Sequence, residues 1–170
     1  AVAGDAHLLT QVRDNLQVFT LDSDVQVARF AAAVDAFGSP ASWWGRLLGR
    51  DGAEQVNLKK AGLFPIVHGV RSLALAQGIG ATSTAERLDA LVAQQVLDPK
   101  LGQELQESLY FLMGLRLQAG LHEWALHRPI SGNVDPSTLS SLERDLLKDT
   151  LAVVKRFKAV LHQRLRLDLV

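Results

Sequence analysis

Residues 57–91 read NLKKAGLFPIVHGVRSLALAQGIGATSTAERLDAL, and this stretch decides the fold class. Ile66, Val67, Val70, Leu73 and Leu75 form an apolar run that predicts a helix from about Leu63 to Gln77. Pro65 fits only in its first turn, where the missing N–H has no helical partner to lose. Gly78 and Gly80 end the helix. Ser83, followed three residues later by Glu86, makes a capping box for a second helix reaching about Val96. Two helices in succession, with no apolar–polar alternation, point to an all-α chain.

The polar residues of this stretch are its chemistry. Lys59, Lys60, His68 and Arg71 gather around the start of the first helix, and the second carries Arg87. His68 and Arg71 are three apart and share a helix face. An arginine beside an apolar stripe is costly unless it pairs with an acid or meets an anion. The structural reading is an internal ion pair, with Glu107 or Asp135 as partner. The functional reading is a contact with a phosphate or an acidic substrate.

Working outward, Leu8, Leu9, Val12, Leu16 and Phe19 set a helix over Asp5 to Phe19. Ser23 caps a helix over Asp24 to Phe37, with Gly38 beyond its end. Ser39-Pro40 opens a short helix holding Trp43 and Trp44, and residues 49–57 read as a loop. Asp98-Pro99 starts a segment that no proline interrupts before Pro129. A continuous helix to Arg128 would hold about 29 residues and measure about 43 Å. Residues 130–138 form an extended loop with Asx-turn chemistry. Ser140 with Glu143 makes another capping box, and the last helix runs to about Leu167. The expected fold is an all-α bundle of six to seven helices, with 99–128 and 140–167 as two long antiparallel helices. Residues 1–50 form N-terminal helices, and residues 51–170 form the bundle proper.

Composition removes several function classes. Lys plus Arg and Asp plus Glu both number 18, so the net charge is zero and a general nucleic-acid binder is disfavoured. With no cysteine, disulfide scaffolds and cysteine metal sites are excluded. No apolar run approaches the roughly 18 residues of a membrane span. The opening AVAGDAHLL has neither a basic n-region nor a starting Met, which fits a cytoplasmic piece of a larger protein.

Other constellations have plain explanations. Asp22-Ser23-Asp24 resembles a metal-binding acid pair but stands at a helix start, where acids suit the dipole. His122 and His127 are five apart, not the four that put zincin ligands on one face. Arg116 with His122, and Arg156 with His162, both fit the loose Arg-x5-His pattern of HEPN-class ribonucleases; two matches show how easily it arises. Arg144 and Lys148 share a face of the last helix and read first as solvated charge.

Four segments together resemble a known bacterial family: NLKKAGLFPIVHGVRSLAL (57–75), STAERLDAL (83–91), LYFLMGLRLQ (109–118) and GNVDPSTLSSLERDLLKDTL (132–151). The family is the nucleotidyltransferase substrate-binding domains, the C-terminal helical module of signalling proteins. Those proteins carry cyclic-nucleotide-binding, CBS and nucleotidyltransferase domains upstream. The resemblance implies a fold like the helical domains of nucleotidyltransferases, including the enzymes that uridylylate the PII protein. It implies a non-catalytic, substrate-binding role for this chain, with a nucleotidyltransferase as its parent. Nucleoside triphosphate and Mg²⁺ are expected in the upstream catalytic domain, not here. The acceptor would be a protein or a small molecule.

Carried over position by position, and with His68 added from the basic cluster, the candidate substrate-binding residues are Lys59, His68, Arg71, Arg87, Arg116, Asn133, Asp135, Arg144 and Lys148; Thr84 also matches the family's polar pattern. No catalytic or metal-binding residue is assigned. Gly120 stands where the family has Gln, which bears on specificity. The alternative is a helical module that forms a homodimer or relays signals, with Trp43 and Trp44 at the edge of its apolar surface.

Overall fold

A computed structural model of the chain describes residues 3–21, 23–36 and 55–169. Six α-helices lie among the described residues: α1 (Ala6–Leu21), α2 (Asp24–Ala31), α3 (Phe64–Ala76), α4 (Thr84–Ala93), α5 (Pro99–Ala125) and α6 (Ser141–Leu165). The short helix expected around Trp43 and Trp44 lies outside the described residues.

Local signals place most of the helix ends. Ser23 accepts from the Gln26 N–H and caps α2. The Ser83–Glu86 and Ser140–Glu143 capping boxes both form, with each serine hydroxyl and glutamate carboxylate satisfying the other's backbone N–H. Asp98 caps α5 through the Leu101 N–H, with Pro99 in the first turn. Gly78, at φ +64°, ends α3.

Three expectations are corrected. The helix opened by Ser23 tightens after Ala31 into a 3-10 turn over Ala32–Asp35. The long helix stops at Ala125. His127 turns left-handed at φ +55°, and Pro129 disfavours helix at the residue before it. The chain is also not wholly free of strand. Val56–Asn57 (β1) pairs antiparallel with Asn133–Val134 (β2), with Val56 opposite Val134. Asn57 Nδ2 donates to Asn133 Oδ1 at 2.8 Å across this clip.

α3 is the central element. It packs against α1, α2, α4 and α6, while α5 and α6 pack on each other as the two long helices. Ile66, Leu73, Leu105, Leu112, Leu147 and Phe157 are fully buried in one continuous core. Of the residues in α3, Arg71 alone is exposed. A single charged window on a buried helix is the feature that positions the candidate site. The apolar stripe of α1 is another matter: Leu8, Val12, Leu16 and Phe19 are exposed. Among the described residues no helix is long and apolar enough to cross a membrane.

Candidate anion-binding site

Arg71 reaches the surface from α3, and Arg87 stands half-buried one turn into α4. The two helices pack closely, and the charges interact. Partial burial lowers the Arg87 pKa from its ordinary value, and repulsion from Arg71 lowers it further. The adjacent Glu86 works in the opposite direction, but its carboxylate is turned back to the Ser83 N–H at 3.2 Å. That cap holds the Glu86 carboxyl below its ordinary range.

Neither arginine has an ion pair among the described residues. The internal partners considered for Arg71 are engaged elsewhere. Glu107 accepts from Gln103 Nε2 at 2.9 Å. Asp135 accepts from the Ser137 N–H at 2.8 Å and its hydroxyl at 2.7 Å, capping a short 3-10 turn. Arg71 and Arg87 thus stand on adjacent helices near enough for their charges to interact, neither is ion-paired among the described residues, and the one acid acting on Arg87, Glu86, is turned to the Ser83 N–H. Each guanidinium fork matches a carboxylate or phosphate edge in bidentate fashion, and the nearby α4 N-terminus adds positive potential.

The remaining candidate residues are dispersed. Lys59 is exposed in a π-helical turn (Lys59–Leu63) before α3. His68 is 8% exposed, stacks on Phe64, and contacts the Phe30 carbonyl at 2.7 Å. Arg116 lies against Gly132, where a Cβ would meet its Nε at 2.9 Å; Gly132 also has φ +67°. Asn133 follows in the β clip, so Arg116 and Asn133 are neighbours through Gly132. Arg144 Nη1 donates to the Leu139 carbonyl at 2.9 Å. Lys148 pairs with Asp145 at 3.0 Å. The structure brings Arg71 to Arg87, and Arg116 towards Asn133, but does not gather all nine.

The second Arg-x5-His pair separates. Arg156 pairs with Glu104, whereas His162 bridges Asp35 at 2.8 Å and Asp168 at 3.0 Å. Glu123 accepts from the Ser131 N–H and hydroxyl. Among the described residues no group of three His, Asp or Glu side chains could hold a metal ion.

A second basic surface escaped sequence reading. A groove of about 660 Å³ is lined by Asp24, Arg29, Gln77, Arg164 and Arg166. These residues come from both ends of α2, the end of α3 and the end of α6, so no local motif marks them.

The His162 bridge has a pH consequence. Burial alone would lower the His162 pKa; its bonds to Asp168 and Asp35 outweigh this and raise it above the ordinary value of 6.5. Burial would raise Asp35, but Lys158 and His162 outweigh it and hold Asp35 below 3.8. A raised histidine stabilises the fold fully below its unfolded pKa, and this is lost as pH rises through the folded pKa. A lowered aspartate acts above its unfolded pKa and is lost as pH falls through the folded value. The network is therefore complete from about pH 4 to 6. The melting temperature should fall as pH rises from 6 to 8, and His162→Gln should flatten that decline. A wild-type curve already flat over this interval would remove the bridge from the stability balance.

A family model described as "Putative nucleotidyltransferase substrate binding domain" matches residues 24–165. No curated protein and no solved structure matches the chain.

Proposed function

This chain belongs to the nucleotidyltransferase substrate-binding domain family, and from that premise we propose that it is the non-catalytic half of a nucleotidyltransferase, holding a phosphate-bearing substrate between Arg71 and Arg87. The observation that carries this reading is a pair of interacting arginines, neither ion-paired among the described residues, one half-buried and the other the sole exposed residue of α3. Its contribution to catalysis is positional. Fixing the phosphates before reaction removes orientational freedom from the barrier, and preplaced positive charge steadies charge on the transferring group.

The parent under this proposal is a bacterial signalling protein of the PII-uridylylating type, with CBS and cyclic-nucleotide-binding domains. Nucleoside triphosphate and Mg²⁺ would be shared with its catalytic domain. No metal step is assigned to the described residues of this chain.

A ligand that binds the native state raises the melting temperature. Nucleoside triphosphate with Mg²⁺ should therefore raise that of the intact parent. Arg71→Ala should show a much smaller shift with unchanged basal stability. Equal shifts in the two proteins would make Arg71 a bystander.

A further inference from the structure

His162 lies in the last turn of α6 with a carboxylate at each ring nitrogen. Nε2 is 2.8 Å from Asp35 Oδ2, and Nδ1 is 3.0 Å from Asp168 Oδ1. Asp35 ends the 3-10 turn after α2, and Asp168 is the middle residue of a 3-10 turn after α6, Leu167–Leu169. One imidazole therefore ties three elements together. An ionised carboxylate only accepts hydrogen bonds, so both ring nitrogens must donate at once. Only the imidazolium can do that, because the neutral ring has one N–H and one bare lone pair.

The two carboxylates are not held equally. Asp35 also binds Lys158, whose Nζ is 2.7 Å from Oδ1 and whose side chain is 12% exposed. It cannot leave Nε2 without leaving that lysine. Asp168 is 82% exposed, and among the described residues its side chain bonds to His162 alone. A neutral ring therefore keeps its proton on Nε2, towards the fixed Asp35, and its Nδ1 lone pair faces a carboxylate that is free to turn out to water. The other charged groups on the packed elements are occupied or lie elsewhere. His68 turns to the Phe30 carbonyl, Glu104 pairs with Arg156, and Arg71 interacts with Arg87. The turn itself is lightly held. Leu167 is buried in the core, but beyond it one backbone bond, from the Leu169 N–H to the Arg166 carbonyl at 3.0 Å, closes the turn.

We propose that His162 is a pH-sensitive clasp: its charged ring holds the turn after α6 closed, and its neutral ring releases Asp168 and Leu169 while Leu167 stays seated in the core. The consequence falls on the basic groove. Arg166 and Leu169 line it together with Asp24, Arg29 and Arg164, so one wall of the groove is fixed only while the clasp is closed. Burial alone would lower the His162 pKa, but its bonds to the two aspartates outweigh this. Release therefore comes at a higher pH than the titration of an ordinary histidine. This inference does not depend on the Arg71–Arg87 pair.

Backbone ¹³C relaxation of residues 167–169 in the full chain, followed together with the His162 ring shift from about pH 6 to 8.5, tests it. In the wild type the order of Asp168 and Leu169 should fall with the same midpoint as the ring, and Leu167 should stay ordered. A ring that loses its proton while the turn keeps its order overturns the proposal, as does loosening at an unrelated midpoint. Asp168→Asn separates the clasp from a plain structural bond. An amide can donate to the bare nitrogen or accept from the protonated one, so this variant should hold the turn closed at every pH. Asp168→Ala should leave it loose at every pH. An Asp168→Asn turn that opens with the wild-type midpoint contradicts the clasp, and so does an Asp168→Ala turn that stays ordered at low pH.

Discussion

Phe157→Ala should destabilise the fold by about 3–5 kcal/mol, the range for emptying a buried aromatic site. For a chain of this size that is a fall in melting temperature of about ten degrees. Phe157 is wholly buried on α6, and its ring presses on α3 at Gly69. A Cβ built on Gly69 would stand 2.6 Å from Phe157 Cε1 and 2.5 Å from Leu161 Cδ1. Gly69→Ala therefore sets two effects against each other. Helix propensity gains about 1 kcal/mol, and overpacking costs about 1–3 kcal/mol; the net should be destabilising. Because Phe157 fills the space beside Gly69, Gly69→Ala and Phe157→Leu will not add, since the smaller side chain vacates space the new methyl needs. Urea denaturation of the two single variants and the double variant decides this. Strict additivity would mean that α3 and α6 do not meet here.

The second large effect is functional. Arg87→Glu replaces one of two repelling cations with an anion beside Arg71. Basal stability should hold or rise slightly, because an exposed ion pair contributes about 0.2–1 kcal/mol at most. Affinity for a phosphate ligand should move the opposite way. Losing a charge-assisted hydrogen bond costs about 1.5–3 kcal/mol, or about 10–100-fold in affinity, and the new charge adds repulsion. A structural role for Arg87 predicts the reverse pattern, with stability lost and binding unchanged. Melting curves and titration calorimetry on the same variant separate the two.

The parts of the fold visible in the sequence were those set by near neighbours. Ser83 with Glu86, Ser140 with Glu143, and Asp98 with Pro99 act within three residues, so their caps could be read directly. The β clip could not. Asn57 and Asn133 are 76 positions apart, and two-residue strands carry no period. The stripe of α1 was legible as a helix face, but its solvent exposure was not, since periodicity does not say what lies opposite a face.

The candidate site divides in the same way. Arg71 was recognisable because a charge stood in an apolar run. Its pairing with Arg87 is tertiary, and its lack of an acid depends on where Glu107 and Asp135 turned. His68 was grouped with Arg71 because residues three apart share a face. Helical spacing, however, cannot distinguish the buried edge of that face from the open one. His68 turned to the Phe30 carbonyl, 38 positions away. The groove of Arg29, Arg164 and Arg166 was hidden for the same reason.

The most direct measurement follows the arginine side chains themselves. The Nε–Hε resonances of the isotope-labelled protein can be titrated with nucleoside triphosphate and Mg²⁺. If the Arg71–Arg87 pair holds the phosphates, these two resonances will shift together along one binding curve, while those of Arg29, Arg164 and Arg166 stay in place. Movement of the latter three with Arg71 and Arg87 still, or no movement at all, would contradict it.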